Sequence, residues 1–183
     1  MAEDDERLFE QSVRGDDNAL RILMDRYGDT LTLFLNSFVH DPDMAEDLMI
    51  EAFSRMLSRH PRLRDGGLKP YLYKTARNLA LRYEMERKRT LSLDVLTMEP
   101  EASDRVEEDL LSSEASTALY SSLALIPVQY REALYLVYIE GMSYDEAGAV
   151  MHRTRKQVDN LVQNGKRAMR ELLEGKGLHL DFS

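Results

Sequence analysis

The chain has 183 residues, contains no cysteine and carries a net charge of −9 at neutral pH. The lack of cysteine excludes disulfides, thiolate metal ligands and cysteine nucleophiles, and no run approaches the 18 consecutive apolar residues of a membrane-spanning helix. Because the N-terminal sequence MAEDDERLFE is acidic and unlike a signal peptide, we expect a cytoplasmic protein without membrane insertion.

The charge is distributed in blocks of opposite sign along the chain. Residues 1–51 hold 14 acids and 4 bases, residues 55–89 hold 11 bases and 3 acids, and residues 94–114 hold 8 acids and one base. Residues 153–170 hold six Lys or Arg and one Asp. An acidic chain therefore contains two basic patches, and nucleic acid stays open as a partner.

Apolar residues at helical spacing predict two helices at the start of the chain. A short first helix around Leu8 ends at Gly15, and Asp16 or Asp17 caps the next helix. The second helix carries a long apolar stripe, formed by Leu20, Leu23, Met24, Tyr27, Leu31, Phe34, Leu35 and Phe38. We expect this stripe to form a core and assign no chemistry to it.

A third helix is predicted to start at Asp41 and Pro42, since Asp is a good N-cap and Pro favours the first helical position. Its expected buried face is Ala45, Leu48, Met49, Ala52, Phe53 and Met56. The opposite face mixes acidic and apolar residues: Glu46, Asp47, Ile50, Glu51 and Arg55. An exposed Ile50 there favours a partner contact, although ordinary solvated carboxylates explain the pattern equally well.

After a loop with the sequence HPRLRDGG, residues 68–89 predict a fourth helix. Its expected inner stripe is Leu72, Thr75, Ala76, Leu79, Ala80 and Tyr83, and its outer residues are Lys74, Arg77, Asn78, Arg82, Arg87, Lys88 and Arg89. Tyr71 and Tyr73 lie near its start. Cations beside aromatic rings suit single-stranded nucleic acid, because cations follow phosphates while bases stack on rings. Equally, the tyrosines could belong to the core and the basic run to a helix C-terminus.

Residues 90–116 lose the helical period and gain Pro, Ser and acidic residues, which predicts a linker. We therefore expect an all-α protein with two small helical domains, residues 1–89 and 117–175, joined by an acidic flexible linker over 90–116. Residues 176–183 would form a tail. In the second domain, a helix from Val128 to Glu140 is expected to end at Gly141.

Residues 143–173 contain two helix starts separated by a short turn. Both starts fit the S/T-x-x-E/Q capping box, with Ser143 and Glu146 at the first and Thr154 and Gln157 at the second. This arrangement predicts a helix-turn-helix, whose second helix lies in the major groove of duplex DNA. A solvated helical hairpin with a basic outer face is the alternative interpretation.

The second helix of this motif has an expected inner stripe of Val158, Leu161, Val162, Met169 and Leu172. Its outward residues near the start can donate or accept hydrogen bonds at base edges: Arg155, Lys156, Asp159, Asn160 and Gln163. Farther along, Lys166, Arg167 and Arg170 are candidates for phosphate contacts, which fix register without reading sequence.

The two halves together resemble the extracytoplasmic function (ECF) group of sigma-70 family RNA polymerase sigma factors. The resemblance rests on residues 41–53 (DPDMAEDLMIEAF), 71–81 (YLYKTARNLAL) and 126–147 (IPVQYREALYLVYIEGMSYDEA). The three segments occur in the order and spacing of the family, on a chain of the family's length. The match extends from Leu8 to Leu173.

The resemblance implies a promoter-specificity subunit that is not an enzyme and uses no cofactor or small-molecule substrate. Its implied partners are the beta prime and beta subunits of core RNA polymerase, promoter DNA and an anti-sigma factor. The polymerase-binding residues would be Glu46, Asp47, Ile50, Glu51 and Arg55, and the −10 residues would be Tyr71, Tyr73, Lys74, Arg77 and Asn78. The −35 residues would be Arg155, Lys156, Asp159, Asn160, Gln163, Lys166, Arg167 and Arg170.

Four positions depart from the family's usual residues. They are Tyr71 in place of Trp, Ile50 in place of Gln, His152 in place of Gly, and Asp159 in place of a basic or small residue. A carboxylate repels phosphate, so Asp159 is acceptable if it accepts from a cytosine N4 or pairs with Arg155 or Lys156. The promoter sequence therefore cannot be transferred from the family.

Other function classes fit the sequence less well. The four histidines lie on separate elements, with no cysteine and no Glu/Asp/His spacing typical of a metal site, which argues against a hydrolase. A helix-turn-helix regulator without sigma activity would leave the basic fourth helix and the acidic linker unexplained. A helical adaptor that binds only protein would leave the basic block of residues 55–89 unexplained.

Overall fold

The computed structural model of the protein describes residues 2–64, 66–94 and 121–175. The chain divides into two compact units, Met1–Arg105 and Val106–Ser183. Within the described ranges all regular secondary structure is helical, which confirms the all-α prediction. Most of the predicted linker and the whole predicted tail at 176–183 lie outside the described residues, so the expected domain boundaries there stay predictions.

The described part of the first unit contains four helices: α1 (Ala2–Val13), α2 (Asp17–Val39), α3 (Pro42–Arg59) and α4 (Leu68–Asp94). Helix α2 lies at the centre and packs against each of the other three. Its side chains Leu23, Leu31, Phe34 and Leu35 are fully buried, as the predicted apolar stripe requires. Burial of large apolar side chains is the main source of stability in such a bundle, at roughly 1.5–3 kcal/mol for each fully buried Leu or Phe.

The helix ends in this unit follow the predicted caps. Gly15 adopts a left-handed φ of 94° after α1, and the Asp16 carboxylate accepts from the backbone N–H groups of Asn18 and Ala19 at 3.0 and 3.2 Å. The Asp41 carboxylate accepts from the N–H of Met44 at 3.1 Å, with Pro42 directly after it. All six residues of the predicted inner face of α3 are buried.

Helix α4 extends to Asp94, five residues past its predicted end at residue 89. The serine and threonine that suggested a linker satisfy their hydroxyls on the helix itself. Thr90 Oγ1 donates to Glu86 O at 3.1 Å, and Ser92 Oγ donates to Lys88 O at 2.8 Å. Such back-bonding lets polar residues continue the helix through residues 90–94, a stretch that contains no proline or glycine.

The second unit contains α5 (Val128–Leu134), a π-helix (Tyr135–Ile139), α6 (Tyr144–Met151) and α7 (Arg155–Gly175). The predicted helix over 128–140 is therefore present, but its last part widens into π geometry, with Glu140 N donating to Tyr135 O at 3.0 Å. Gly141 then adopts a left-handed φ of 67° and ends it, as predicted.

Helix α7 packs across α5 at Gly165, where a Cβ atom would lie 3.0 Å from Leu134 Cδ1. The buried residues of α7 are Val158, Val162, Gly165, Met169 and Leu173. The predicted stripe was correct at Val158, Val162 and Met169, whereas Leu161 and Leu172 are only half-buried. Because α5 approaches α7 closely at Gly165, the buried side of α7 includes Gly165 and Leu173 instead of Leu161 and Leu172.

Candidate functional site

The predicted polymerase-binding face of α3 lies at the surface of the first unit. Glu46 and Asp47 are exposed, and Ile50 keeps 48% of its surface exposed. Glu51 is paired one turn along the helix, since its Oε1 lies 2.6 Å from Arg55 Nη2. Ile50 therefore projects between two carboxylates from a helix whose opposite side is buried in the core.

Helix α4 presents a face that combines cations with apolar side chains. Lys74 and Arg77 are half-buried, and Asn78 is exposed. On the same side, at helical spacings of three and four residues, Leu81 and Met85 are 40% and 64% exposed. We name Lys74, Arg77, Asn78, Leu81 and Met85 the strand face. Sequence reasoning missed its two apolar members, although their spacing from Lys74 and Asn78 carries the signal.

Tyr73 does not belong to this face, so its placement does not support the predicted role on the −10 strand. Its side chain is fully buried, its hydroxyl lies 3.0 Å from Thr30 Oγ1, and its ring centroid lies 5.2 Å from that of Phe34. A helix turns about 100° per residue, so Tyr71, two positions earlier, points in a different direction. Tyr71 is half-buried and its predicted stacking role stays a prediction.

The turn between α6 and α7 has the geometry of a helix-turn-helix. Both predicted capping boxes are formed: Glu146 N donates to Ser143 Oγ at 3.2 Å and Ser143 N to Glu146 Oε2 at 2.7 Å, while Gln157 N donates to Thr154 Oγ1 at 3.3 Å and Thr154 N to Gln157 Oε1 at 2.9 Å. His152 adopts a left-handed φ of 54°, a conformation that glycine adopts most easily.

Gly148 makes the turn tight. A Cβ atom at this position would lie 2.6 Å from the backbone oxygen of Arg153. The same short segment is closed by the N–H of Arg153, which donates to Gly148 O at 2.9 Å. The start of α7 is therefore held to the end of α6 by backbone contacts that leave no room for a side chain.

The outer face of α7 is polar, and several of its side chains have partners within the protein. Its exposed members are Arg155, Lys156, Asn160, Gln163, Arg167 and Arg170, and its half-buried members are Asp159 and Lys166. We name these eight residues the duplex face. Arg155 Nη1 lies 3.1 Å from Asp145 Oδ2 of α6, and Arg167 Nη2 donates to Asn164 Oδ1 at 2.8 Å.

Asp159 finds a partner that the sequence did not suggest. Its Oδ1 accepts from Gln163 Nε2 at 3.4 Å, one turn along the helix. Of its two expected partners, Arg155 and Lys156, the first pairs with Asp145 instead. The carboxylate and the amide thus lie side by side on the part of α7 nearest its start.

Lys166 is also positioned by a neighbour. Its Nζ lies 4.8 Å from the ring centroid of Tyr138, a half-exposed residue of the π-helix. This distance is typical of a cation–π contact. The ammonium group of Lys166, which is expected to bind phosphate, therefore lies against the ring of Tyr138.

A buried charged pair in α5 was not identified in the sequence analysis. Arg131 and Glu132 are 7% and 3% exposed, and Arg131 Nη1 donates to the backbone oxygen of Ala124 at 3.2 Å. Burial lowers the pKa of the Arg131 guanidinium, and the charge of Glu132 acts in the opposite direction. Arginine keeps its proton at neutral pH, so this cation ties the turn before α5 to the helix.

No group of three or more His, Asp or Glu side chains within the described ranges is arranged to bind a metal ion. Nor does any helix described here combine the length and the apolar composition needed to cross a membrane.

Comparison with known proteins assigns both units. The family described as "Sigma-70 region 2" matches residues 23–90, from α2 to α4, and the family described as "Sigma-70, region 4" matches residues 116–169, which include α5, α6 and most of α7. RNA polymerase sigma factor SigZ of Bacillus subtilis (strain 168) is 27% identical over 155 residues, covering 84% of this chain and 86% of the relative.

Two further relatives extend this similarity. The ECF RNA polymerase sigma-E factor of Escherichia coli (strain K12) is 26% identical over 183 residues, covering 87% of this chain and 94% of the relative. The solved structure of the sigma factor RpoE of Bartonella quintana, in complex with the anti-sigma factor NepR, matches with a TM-score of 0.69 at 20% identity. It covers 85% of this chain and 96% of that chain, and it supports the same fold.

The matched ranges together span more than half of the chain and coincide with the bundle built on α2 and with the helix-turn-helix. The protein therefore belongs to the ECF group of the sigma-70 family of RNA polymerase sigma factors.

Proposed function

We propose that this sigma factor divides promoter recognition between its units. The outward face of α3 binds core RNA polymerase, the strand face of α4 binds the opened −10 element, and the duplex face of α7 reads the −35 element. One observation carries the proposal: two polar, cation-bearing helical faces of different chemistry lie on separate units of one chain. A helix-turn-helix regulator that reads duplex DNA alone has no use for the first of them.

The chemistry of the strand face supports contact with single-stranded DNA. Lys74 and Arg77 can follow phosphates, and Asn78 can hydrogen-bond to a base edge. Leu81 and Met85 are exposed beside them, and apolar wedges of this kind enter between unstacked bases. Such side chains have little to contact on an intact duplex whose bases are stacked.

The chemistry of the duplex face supports reading of base pairs. Its first two turns carry Arg155, Lys156, Asp159, Asn160 and Gln163, which are hydrogen-bonding groups able to reach base edges in the major groove. The capping boxes and the tight turn at Gly148 fix the start of this helix. A rigid start is what a readout that depends on hydrogen-bond geometry requires.

The polymerase contact is tested by reversing the charges of Asp47 and Glu51, one turn apart on α3. Asp47→Arg with Glu51→Arg should abolish binding to core polymerase in gel filtration, because the two cations would face the site that accepts the carboxylates. The melting temperature should fall only slightly, because Asp47 is exposed and a half-exposed i,i+4 ion pair such as Glu51–Arg55 contributes roughly 0.3–0.5 kcal/mol.

A matched control is available on α2, where Asp25 and Asp29 are exposed and also one turn apart. Asp25→Arg with Asp29→Arg changes the net charge by the same amount but lies on another helix, so it should leave polymerase binding intact. Equal losses in the two double variants would make the effect one of net charge and would remove the assignment of the α3 face.

An anti-sigma factor is a further proposed partner. The support is that the Bartonella quintana relative was solved in complex with one. A protein that co-purifies with the tagged chain and prevents its binding to core polymerase would be this partner. A co-purifying protein that leaves polymerase binding unchanged would not qualify as one.

A further inference from the structure

The start of α4 is capped by a residue from the other end of the first unit. The backbone N–H of Leu68, the first residue of α4, donates to Glu6 Oε1 of α1 at 3.1 Å, across 62 residues of sequence. Leu68 itself is fully buried. A helix leaves its first N–H groups without partners inside the helix, so this carboxylate satisfies a donor that water cannot easily reach.

The local sequence cannot provide this cap. The residue before α4 is Gly67, and a Cβ atom there would lie 2.8 Å from the backbone oxygen of Arg64. Gly67 also donates its own N–H to that oxygen at 2.7 Å, which closes the loop. The position where Ser, Thr, Asp or Asn usually caps a helix therefore has no room for a side chain, and the acceptor comes from α1.

The adjacent residue of α1 is tied to the same region. The Asp5 carboxylate pairs with Arg26 and accepts from the hydroxyl of Tyr27, both on α2. The ring of Tyr27 in turn lies 6.0 Å from Nζ of Lys69, the second residue of α4. One turn of α1 thus reaches the first two residues of α4, directly through Glu6 and indirectly through Tyr27.

We propose that Glu6 is a positioning residue for promoter opening. It fixes the first turn of α4 and, through that turn, the placement of Tyr71 and Lys74 and the geometry of the loop before them. A carboxylate suits this role because the N-terminus of a helix carries partial positive charge. The inference rests on the proposed −10 role of α4, but the cap itself can be measured without DNA.

The test compares three substitutions of Glu6 in the full-length protein. Glu6→Ala removes the acceptor, Glu6→Asp withdraws the carboxylate by one methylene, and Glu6→Gln keeps a side-chain oxygen in place. The matched control is Glu10→Ala, one turn along α1, where the carboxylate is 70% exposed and lies 4.0 Å from Arg14. The milder Glu6→Asp keeps the test informative if Glu6→Ala does not fold.

The first readout is hydrogen exchange at the Leu68 amide, measured by NMR. Removal of an N-cap acceptor should speed this exchange roughly threefold to tenfold, in line with the usual strength of such caps. Glu6→Gln and Glu10→Ala should leave it close to the wild-type rate. Unchanged exchange in both Glu6→Ala and Glu6→Asp would overturn the cap.

The second readout is open-complex formation on a linear promoter isolated from a randomised pool with the wild-type holoenzyme. Glu6→Ala and Glu6→Asp should slow opening several-fold with unchanged binding to core polymerase, and Glu6→Gln should restore most of the rate. Faster exchange at Leu68 with normal opening would reduce Glu6 to a structural cap and overturn the proposal.

An Arg77→Ala, Asn78→Ala variant measured in parallel separates the two claims. If this variant opens the promoter normally, the proposed role of α4 fails whatever the Leu68 amide does. If it is defective while the Glu6 variants with faster Leu68 exchange are not, only the positioning role fails.

Discussion

The strand face of α4 and the duplex face of α7 are both built on long helices with polar outer sides, yet the side chains that accompany their cations differ. On α7, Arg155 is paired with Asp145, Gln163 with Asp159, and Lys166 lies against the ring of Tyr138. On α4, the cations share their face with Leu81 and Met85, which are 40% and 64% exposed.

On the proposed assignment, this difference corresponds to the two forms of DNA at a promoter. Reading a duplex depends on hydrogen bonds with fixed geometry, so side chains that are already positioned lose less freedom on binding. Binding an opened strand depends on phosphate attraction and on apolar contact with unstacked bases. Each of the following changes should affect one of the two faces and spare the other.

The largest effect is expected at Gly148, beneath the start of the duplex face. Gly148→Ala places a methyl group against the Arg153 carbonyl, where only 2.6 Å is available, and overpacking of this kind typically costs about 1–3 kcal/mol. We expect faster hydrogen exchange throughout α7 and loss of −35 binding, with the amides of α2 and α4 unchanged.

The matched control is Gly28, a buried glycine inside α2. A Cβ atom there would lie 3.9 Å from Met49 Cε, an ordinary contact distance. Gly28→Ala should raise the free energy of unfolding of the first unit by roughly 0.5–1 kcal/mol, because alanine loses less backbone entropy in a helix. If Gly148→Ala is tolerated equally well, the turn relaxes and does not fix the start of α7.

The next effect concerns the specificity of the duplex face. Asp159→Ala removes a carboxylate that repels phosphate, so affinity for unrelated duplexes should rise. Discrimination at one base pair should fall by roughly 1–3 kcal/mol if the carboxylate accepts from a cytosine. Selection from randomised −35 sequences with both proteins measures this, and identical preferences would mean that Asp159 serves only its neighbour Gln163.

A smaller effect is expected from the apolar part of the strand face. Leu81→Ser with Met85→Ser should slow promoter opening several-fold without affecting −35 binding, because the wedge against unstacked bases is lost. Since both side chains are exposed, the free energy of unfolding should change by less than about 0.5 kcal/mol for each. Normal opening in this variant would leave phosphate attraction as the main contribution of α4.

The smallest effect is expected at Tyr138, which holds Lys166. Lys166→Ala should weaken binding to all −35 sequences alike and lower the salt slope by about one unit if the ammonium contacts a phosphate. Tyr138→Leu keeps the charge but removes the ring, and should cost about 0.5–1 kcal/mol of affinity with the salt slope nearly unchanged. If Tyr138→Leu lowered the salt slope as much as Lys166→Ala does, the ring would be required for the phosphate contact.

Much of the fold could be predicted from the sequence because its signals are local. Caps such as Asp41 and Ser143 and stripes at helical spacing act within one or two turns, and they gave the helix starts and the inner face of α3 correctly. The hydroxyls of Thr90 and Ser92, by contrast, find helical acceptors that composition alone does not reveal, so α4 runs past the predicted boundary.

The parts of the site that sequence reasoning missed depend on contacts between distant residues. Tyr73 was assigned to DNA, but Thr30 and Phe34 of α2 hold it in the core. Asp145 was not expected to engage Arg155, and Glu6 was not expected to cap α4. Pairings between helices are set by packing, and no periodicity within one helix indicates them.

The most direct test of the division between the faces measures opening on two templates that differ only at the −10 element. One is a linear duplex, and the other carries a mismatched −10 region that is already open. Arg77→Ala with Asn78→Ala should impair the duplex much more than the open template and spare polymerase binding, whereas Arg167→Ala should weaken both templates equally. Equal defects of the α4 variant on both templates, or none on either, would contradict the role of α4 in opening the promoter.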